Sequence, residues 1–293
     1  MTELLSVVLP TFLIIFIGFM FGKIRKPDLS IVSEIVIYIA LPALAITSML
    51  DKKIVLANAA RIWGSAVFVI IGVGVIAFII FTLLKKKHSG LYLPISIMNA
   101  VNIPFPIIYL VYGSEGLYAA TLYMIPCSIL TYSLGIYIAS GKDWKTSLKE
   151  VFKIPPIYAS LIGLILNLFE VSVPDIILRP LEIIGLMTIP LVLLVLGNNL
   201  SRMKSITSIP TTLLSSFLRV GVGFGLGLLA VELFDLTGIL RAVVILESAM
   251  PAAVNAAIIT TRYKNEAELV SSVVFVTTIA SLVTIPFILS FLT

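Results

Sequence analysis

The sequence predicts an all-helical protein that crosses a bilayer many times, and three observations carry that reading. Hydrophobic residues fill 59% of the 293 positions and charged residues only 12%, well below the roughly 25% charge of a soluble domain. Mean hydropathy is +1.15. The apolar residues form long runs such as Val67 to Leu84 that are apolar on every face, whereas a β-barrel needs short segments of alternating polarity. At roughly 20 residues per span, ten spans leave room for short loops only. Any chemistry therefore sits inside or at the edge of the bilayer, which excludes an ordinary globular enzyme.

Breaking the chain at its charge clusters gives spans near 4–22, 31–50, 62–84, 91–112, 116–140, 155–170, 181–200, 210–233, 237–262 and 269–292. The first opens without positive charge over Met1 to Leu5, and Lys23, Arg25 and Lys26 follow its apolar run. That order suits a first span better than a cleaved leader. The loops after odd-numbered spans carry 14 basic residues: Lys23, Arg25, Lys26, Lys85, Lys86, Lys87, Lys142, Lys145, Lys149, Lys153, Arg202, Lys204, Arg262 and Lys264. The opposite side carries five, Lys52, Lys53, Arg61, Arg179 and Arg241. The bias places the odd loops in the cytoplasm and both termini outside, in a cell membrane. The net charge of +5 thus reports orientation and does not point to nucleic acid. The single cysteine, Cys127, forms no intrachain disulfide and reads as an apolar packing residue.

A faint repeat relates the two halves. Leu41-Pro42-Ala43-Leu44 in span 2 corresponds to Ile189-Pro190-Leu191-Val192 in span 7, Pro104 in span 4 to Pro251 in span 9, and Tyr112 with Glu115 to Tyr263 with Glu266. The offset stays near 150 residues throughout, so each half, 1–140 and 141–293, holds five spans. An odd number of spans forces the second copy to enter the membrane in the opposite direction, the inverted repeat of secondary transporters.

Chemistry is sparse within the spans. All five Asp residues fall in loops or at span ends. Glu247 is the only carboxylate well inside the hydrocarbon, and it reads either as a neutral acid hydrogen-bonded to a neighbouring helix or as the seat of a coupling ion, sodium or a proton. Pro251 follows four residues later and frees the Glu247 carbonyl if the helix is regular; in that case Glu247, Pro251 and Asn255 share a face. Span 4 carries the matching interruption, Met98-Asn99-Ala100-Val101-Asn102-Ile103-Pro104-Phe105-Pro106. Antiparallel and both broken near the midplane, spans 4 and 9 bring the N-terminal ends of their second halves together. Their partial positive charges and the amides Asn99, Asn102 and Asn255 suit an anionic group. Asn99 is also a candidate partner of Glu247 at the ion. Arg219 in span 8 has three readings: binding a substrate carboxylate, pairing with Glu247, or snorkelling to the surface. His88, after three lysines, reads as a surface residue, and Glu34 and Glu232 as interfacial. The glycines at 221, 223, 225 and 227 read as close helix packing, since no strand precedes them.

These segments together resemble the auxin efflux carrier family, whose prokaryotic members include carriers of malonate and other organic acids. The carrying residues are Leu41 to Leu44, Asn99 to Pro106 with Tyr112-Gly113, Pro190 with Gly197-Asn198-Asn199-Leu200, and Met250 to Asn255. The resemblance implies a ten-helix elevator carrier similar in fold to bile acid/sodium symporters. Spans 1, 2, 6 and 7 would form the scaffold and a homodimer surface, and spans 3–5 and 8–10 the moving domain. Asn102, Pro104, Pro106, Pro251 and Asn255 map onto the crossing. The chain lacks the long loop between spans 5 and 6 of many plant auxin carriers, which argues against auxin itself, and Glu247 departs from the plant pattern.

The expectation is a secondary transporter of a small carboxylate, coupled to sodium or protons, with no resident cofactor. A cation/proton antiporter of related fold is an alternative, though span 5 lacks the acid such exchangers carry. A transporter-like metabolite sensor is another. An intramembrane enzyme would need paired aspartates, a metal cluster or a Ser/His dyad, and the spans offer none.

Overall fold

The computed structural model describes residues 2–51, 53–141, 149–202 and 206–292, with side chains from Val8 onward. Lys52, Lys142, Asp143, Lys145 and Lys204, which enter the charge count, lie outside the described residues.

The described chain is helical, and among its residues the sole β pairing is an isolated antiparallel bridge between Met98 and Ala252. In order the helices are α1 (Thr2–Arg25), α2 (Ser30–Leu50), α3 (Leu56–Leu83), α4 (Tyr92–Ser96), α5 (Pro104–Ser140), α6 (Pro155–Leu168), α7 (Asp175–Ser201), α8 (Ile209–Leu233), α9 (Gly238–Ser248), α10 (Val254–Arg262) and α11 (Ala267–Leu292). Seven of them are long and apolar enough to cross a membrane, namely α1, α2, α3, α5, α7, α8 and α11. The expected spans 91–112 and 237–262 are each split, α4 from the start of α5 and α9 from α10, because prolines 104 and 251 stop a continuous ladder. Span 155–170 is a shorter apolar helix of 14 residues.

Prolines shape the intact helices as well. Pro42 has no N–H for the carbonyl four residues back, and the turn before it widens into a π turn, Val36–Ala40. In α7 the helix is interrupted at Met187 just before Pro190. Two further π turns lie at Thr131–Gly135 in α5 and Leu218–Val222 in α8. α5 also bends sharply at Gly113, whose φ of 62° only glycine adopts freely.

α1 packs along α7, and α2 along α6. The first pair approaches closely: a Cβ on Gly18 or Gly197 would overlap the backbone of the other helix, the small-residue contact that membrane helices use in place of a hydrophobic drive. The second bundle holds α3, α4, α5 and α8 to α11. Its core joins Val69, Ile70, Phe105, Tyr123, Val243 and Leu246.

Loop contacts sort the chain ends. Arg202 donates to the Pro27 carbonyl, Lys86 Nζ to Thr211 (2.9 Å), and Asn265 to the Ala139 carbonyl (3.1 Å), gathering the odd loops at one end. At the other end Lys53 meets Glu170 (2.6 Å), Arg61 meets Asp235 (3.5 Å) and Arg241 meets Glu232 (2.5 Å). His88 corrects its expectation as a plain surface residue. It is partly buried, with Nδ1 2.5 Å from Glu266 Oε1, while Glu266 Oε2 accepts the Gly90 N–H at 2.9 Å.

Candidate functional site

At the breaks, two unwound segments cross. The Asn99 N–H donates to the Pro251 carbonyl at 2.8 Å and the Ala253 N–H to the Ile97 carbonyl at 3.1 Å. Met98 and Ala252 face each other between these bonds as a non-hydrogen-bonded antiparallel pair. The Ala252 N–H is taken by Thr277 Oγ1 of α11 (3.1 Å). Backbone that lost its helical partners is thus satisfied across the crossing, which a membrane interior requires.

Each broken span presents two helix ends here. The first halves, α4 and α9, arrive with their C-termini, and Arg219 meets both. Its Nη1 donates to the carbonyls of Ile95 (3.0 Å) and Ser96 (2.8 Å), and its Nη2 to that of Ser248 (2.6 Å). Arg219 is fully buried, so it does not snorkel. No ion pair joins it to Glu247 among the described residues, and it does not line the cavity described below. A buried cation is costly, and three charge-assisted bonds at about 1.5–3 kcal/mol each, aimed at the negative ends of two helices, offset that cost. Gly223 makes the contact possible, because a Cβ there would overlap the guanidinium and the Ser248 carbonyl. Gly227 admits the Ser248 side chain in the same way, whereas Gly225 faces open space. The glycine series therefore packs closely at two of its four positions.

Glu247 is fully buried near the end of α9, and neither carboxylate oxygen has a hydrogen-bond partner among the described residues. That overturns the reading of an acid tied to a neighbouring helix. The regular helix through Pro251 is also corrected: α9 stops at Ser248, the Glu247 carbonyl accepts the Met250 N–H at 3.1 Å, and Glu247, Pro251 and Asn255 share no helix face. Proline ended the helix rather than freeing one carbonyl within it.

The second halves begin on the other side of the crossing. Pro104 stands in the first turn of α5, where its missing N–H costs nothing, and Pro106 follows. Asn99 is buried, and its Oδ1 accepts the Asn102 N–H at 2.9 Å while its Nδ2 has no partner among the described residues. Asn102 and Asn255 line a cavity of about 150 Å³ together with Val101 and Val254, the residues at the N-terminal ends of the two second halves. Its other walls are Ser33 and Leu41 of α2, Ser128 and Tyr132 of α5, Pro156 of α6, and Val195 and Asn199 of α7. The cavity thus lies between the two bundles. Asn255 Nδ2 donates to the Tyr132 hydroxyl at 3.0 Å. Tyr132, Ser128, Ser33 and Asn199 were not singled out as site residues from the sequence. Tyr132 lies in the π turn Thr131–Gly135, and no composition signal announces such a turn.

A family model described as membrane transport protein matches the chain twice, over residues 4–153 and 143–289. The chain belongs to this auxin efflux carrier-like family of membrane transporters. Two archaeal relatives are similar along nearly their whole length. An uncharacterized transporter of Methanocaldococcus jannaschii is 28% identical over 298 residues, covering 96% of each chain. An uncharacterized transporter of Methanothermobacter thermautotrophicus is 29% identical over 306 residues, covering 97% of this chain and 96% of its own. The protein is a multi-pass membrane transporter, and its family is not an enzymatic one.

Proposed function

We propose that this transporter is a secondary active carrier of a small carboxylate that works as an elevator. The observation that carries the proposal is the cavity between the bundles, walled by Asn102 and Asn255 at the N-termini of two broken helices and by α2 and α7 on the facing side. Amide donors and two positive helix ends suit a carboxylate, and a cavity between two bundles suits a domain that carries its ligand past a fixed wall. Tyr132, held by Asn255, completes the polar lining.

The chain is read as ten spans in two inverted five-helix repeats, 1–140 and 141–293. The double match of the family model supports this reading, as does packing that keeps its pattern under exchange of the halves, α1 with α7 and α6 with α2. Spans 1, 2, 6 and 7 form the scaffold and the homodimer surface; spans 3–5 and 8–10 move. Glu247, buried without a hydrogen-bond partner among the described residues, takes the coupling ion, and Asn99, whose Nδ2 is likewise unpaired among them, holds the unwound segment in place. The basic odd loops face the cytoplasm, and both termini lie outside.

Proteoliposomes loaded under separate sodium and proton gradients and offered a panel of radiolabelled mono- and dicarboxylates test the proposal. Concentrative uptake of at least one carboxylate is expected, with Glu247→Gln uncoupling flux from the gradient. Absence of uptake under every gradient would refute the carrier, and a mutant with unchanged gradient dependence would remove Glu247 from coupling.

A further inference from the structure

The two unwound segments of the crossing are held unequally. In the span 9 segment, 249–253, every N–H has a partner, and Pro251 has none to offer. Those of Ala249 and Met250 bond back into the last turn of α9, and that of Ala253 crosses to the Ile97 carbonyl at 3.1 Å. The Ala252 N–H points away from span 4, as in any non-hydrogen-bonded antiparallel pair, and Thr277 Oγ1 of α11 takes it at 3.1 Å. Thr277 is fully buried and donates its own proton to the Val273 carbonyl at 2.7 Å, so its hydroxyl has a fixed direction. In the span 4 segment, 97–103, the N–H groups of Ile97 and Asn99 are bonded, to the carbonyls of Leu93 (2.9 Å) and Pro251 (2.8 Å). Past them the hydrogen bonds run only within the segment and into the start of α5: Asn99 Oδ1 accepts the Asn102 N–H, and the Val101 carbonyl accepts that of Phe105. The N–H groups of Met98, Ala100 and Val101 and the Asn102 side chain make no hydrogen bond among the described residues. Asn255, by contrast, is held by Tyr132.

The repeat sharpens the contrast. At the offset of about 150 residues, Cys127 of α5 stands where Thr277 stands in α11, and Met98 faces Ala252 across the bridge. The same contact is made on both sides with different chemistry. Cys127 Sγ meets Met98 Sδ at 3.5 Å, a soft contact onto a flexible side chain, whereas Thr277 bonds the main chain itself.

We infer that span 9 is the fixed jaw of the site and span 4 the closing one, and that Thr277 is the positioning residue that makes the difference. The inference rests on the proposal that the crossing is the transport site. With Ala252 anchored on α11, Val254 and Asn255 enter the cavity from a backbone that stays in place. Beyond Asn99, the turn that carries Val101 and Asn102 swings as one unit, because Asn99 Oδ1 holds it together. Its N–H groups and Asn99 Nδ2 gain partners when a carboxylate enters. A main-chain N–H left unpaired in a membrane interior is costly, so each partner gained favours closure. Thr277 does not line the cavity and touches no substrate.

Hydrogen–deuterium exchange of the purified protein in lipid nanodiscs, read amide by amide and corrected for intrinsic rates, tests this. Without carboxylate, Met98, Ala100 and Val101 exchange at least about fivefold faster than Ala252 and Ala253, the worth of one hydrogen bond. Thr277→Val removes the hydroxyl, speeds Ala252 and Ala253 by about fivefold and leaves 98–101 unchanged, while Thr277→Ser keeps the wild-type rates. Each carboxylate of the uptake panel is then added unlabelled, and one that is transported slows 98–101 and leaves 252 and 253 as they were. In uptake, Thr277→Val raises the KM for that carboxylate about fivefold with the maximal rate retained, and Thr277→Ser does not. Equal exchange in the two wild-type segments overturns the inference. So does a transported carboxylate that protects the span 9 amides instead, or a Thr277→Val protein in which Ala252 exchanges as before. Should Thr277→Val not fold, the wild-type comparison decides alone. Failure of the carrier reading is distinguishable, because it shows as absent uptake of every carboxylate and leaves the exchange without carboxylate to decide.

Discussion

The two sides of the helix crossing are built in opposite ways. On the side of Arg219 a fully buried cation joins two helix C-termini through the carbonyls of Ile95, Ser96 and Ser248. On the side of Asn102 and Asn255 the helix N-termini open on a cavity lined by amides and hydroxyls. The same prolines made both sides. The difference teaches that breaking a helix in a membrane creates two kinds of free end, and that the protein satisfies one internally while the other opens on a cavity.

Removing the guanidinium breaks this contrast most severely. Arg219→Ala leaves three buried carbonyls unpaired at about 1–3 kcal/mol each, so Tm falls by about 10 °C or more, and Arg219→Lys recovers part of the loss. Gly223→Val forces the guanidinium off Ser248 and costs about 1–3 kcal/mol, read as a smaller fall in Tm. On the open side the effects move from stability to transport. Asn255→Ala and Tyr132→Phe each lower carboxylate flux about five- to tenfold, the worth of roughly one hydrogen bond, with Tm nearly unchanged; a large fall in Tm without a change in flux would erase the distinction between the sides.

The smallest effect belongs far from the crossing. The Lys53 ammonium holds the Glu170 carboxyl below the usual carboxylate range, and Glu170 raises Lys53 in return. A lowered carboxylate pKa contributes stability above the usual carboxylate range and loses it as pH falls through the lowered value. Both groups are fully exposed and screened. Glu170→Gln therefore melts with wild type at pH 7 and at pH 4.

Much of the architecture was legible in the sequence, because long apolar runs leave little alternative to helices and prolines 104 and 251 mark where two of them stop. The interruption at Asn99 to Pro106 and at Met250 to Asn255 is where the segments cross. The roles at the crossing were less legible. Glu247, Pro251 and Asn255 fall at helical spacing, yet the helix ends between them, so periodicity misassigned their faces. Arg219 finds its partners in main-chain carbonyls, which leave no trace in residue types. Tyr132 and Asn199 reach the cavity from helices distant in sequence, and Tyr132 sits in a π turn that no composition encodes.

The tether between α2 and α3 sets a limit on the stroke of the proposed elevator. Residues 51–55 allow at most about 20 Å between the helix ends at 3.3–3.6 Å per step. Asn167 at the end of α6 clasps that strap at both ends, its Nδ2 donating to the Met49 carbonyl (2.8 Å) and its Oδ1 accepting the Ile54 N–H (2.9 Å). With the clasp closed, only the steps from Ile54 to Leu56 remain as slack, about 7 Å. If the second bundle moves as proposed, a longer excursion has to open one side-chain amide first, which makes Asn167 a catch on the range of travel.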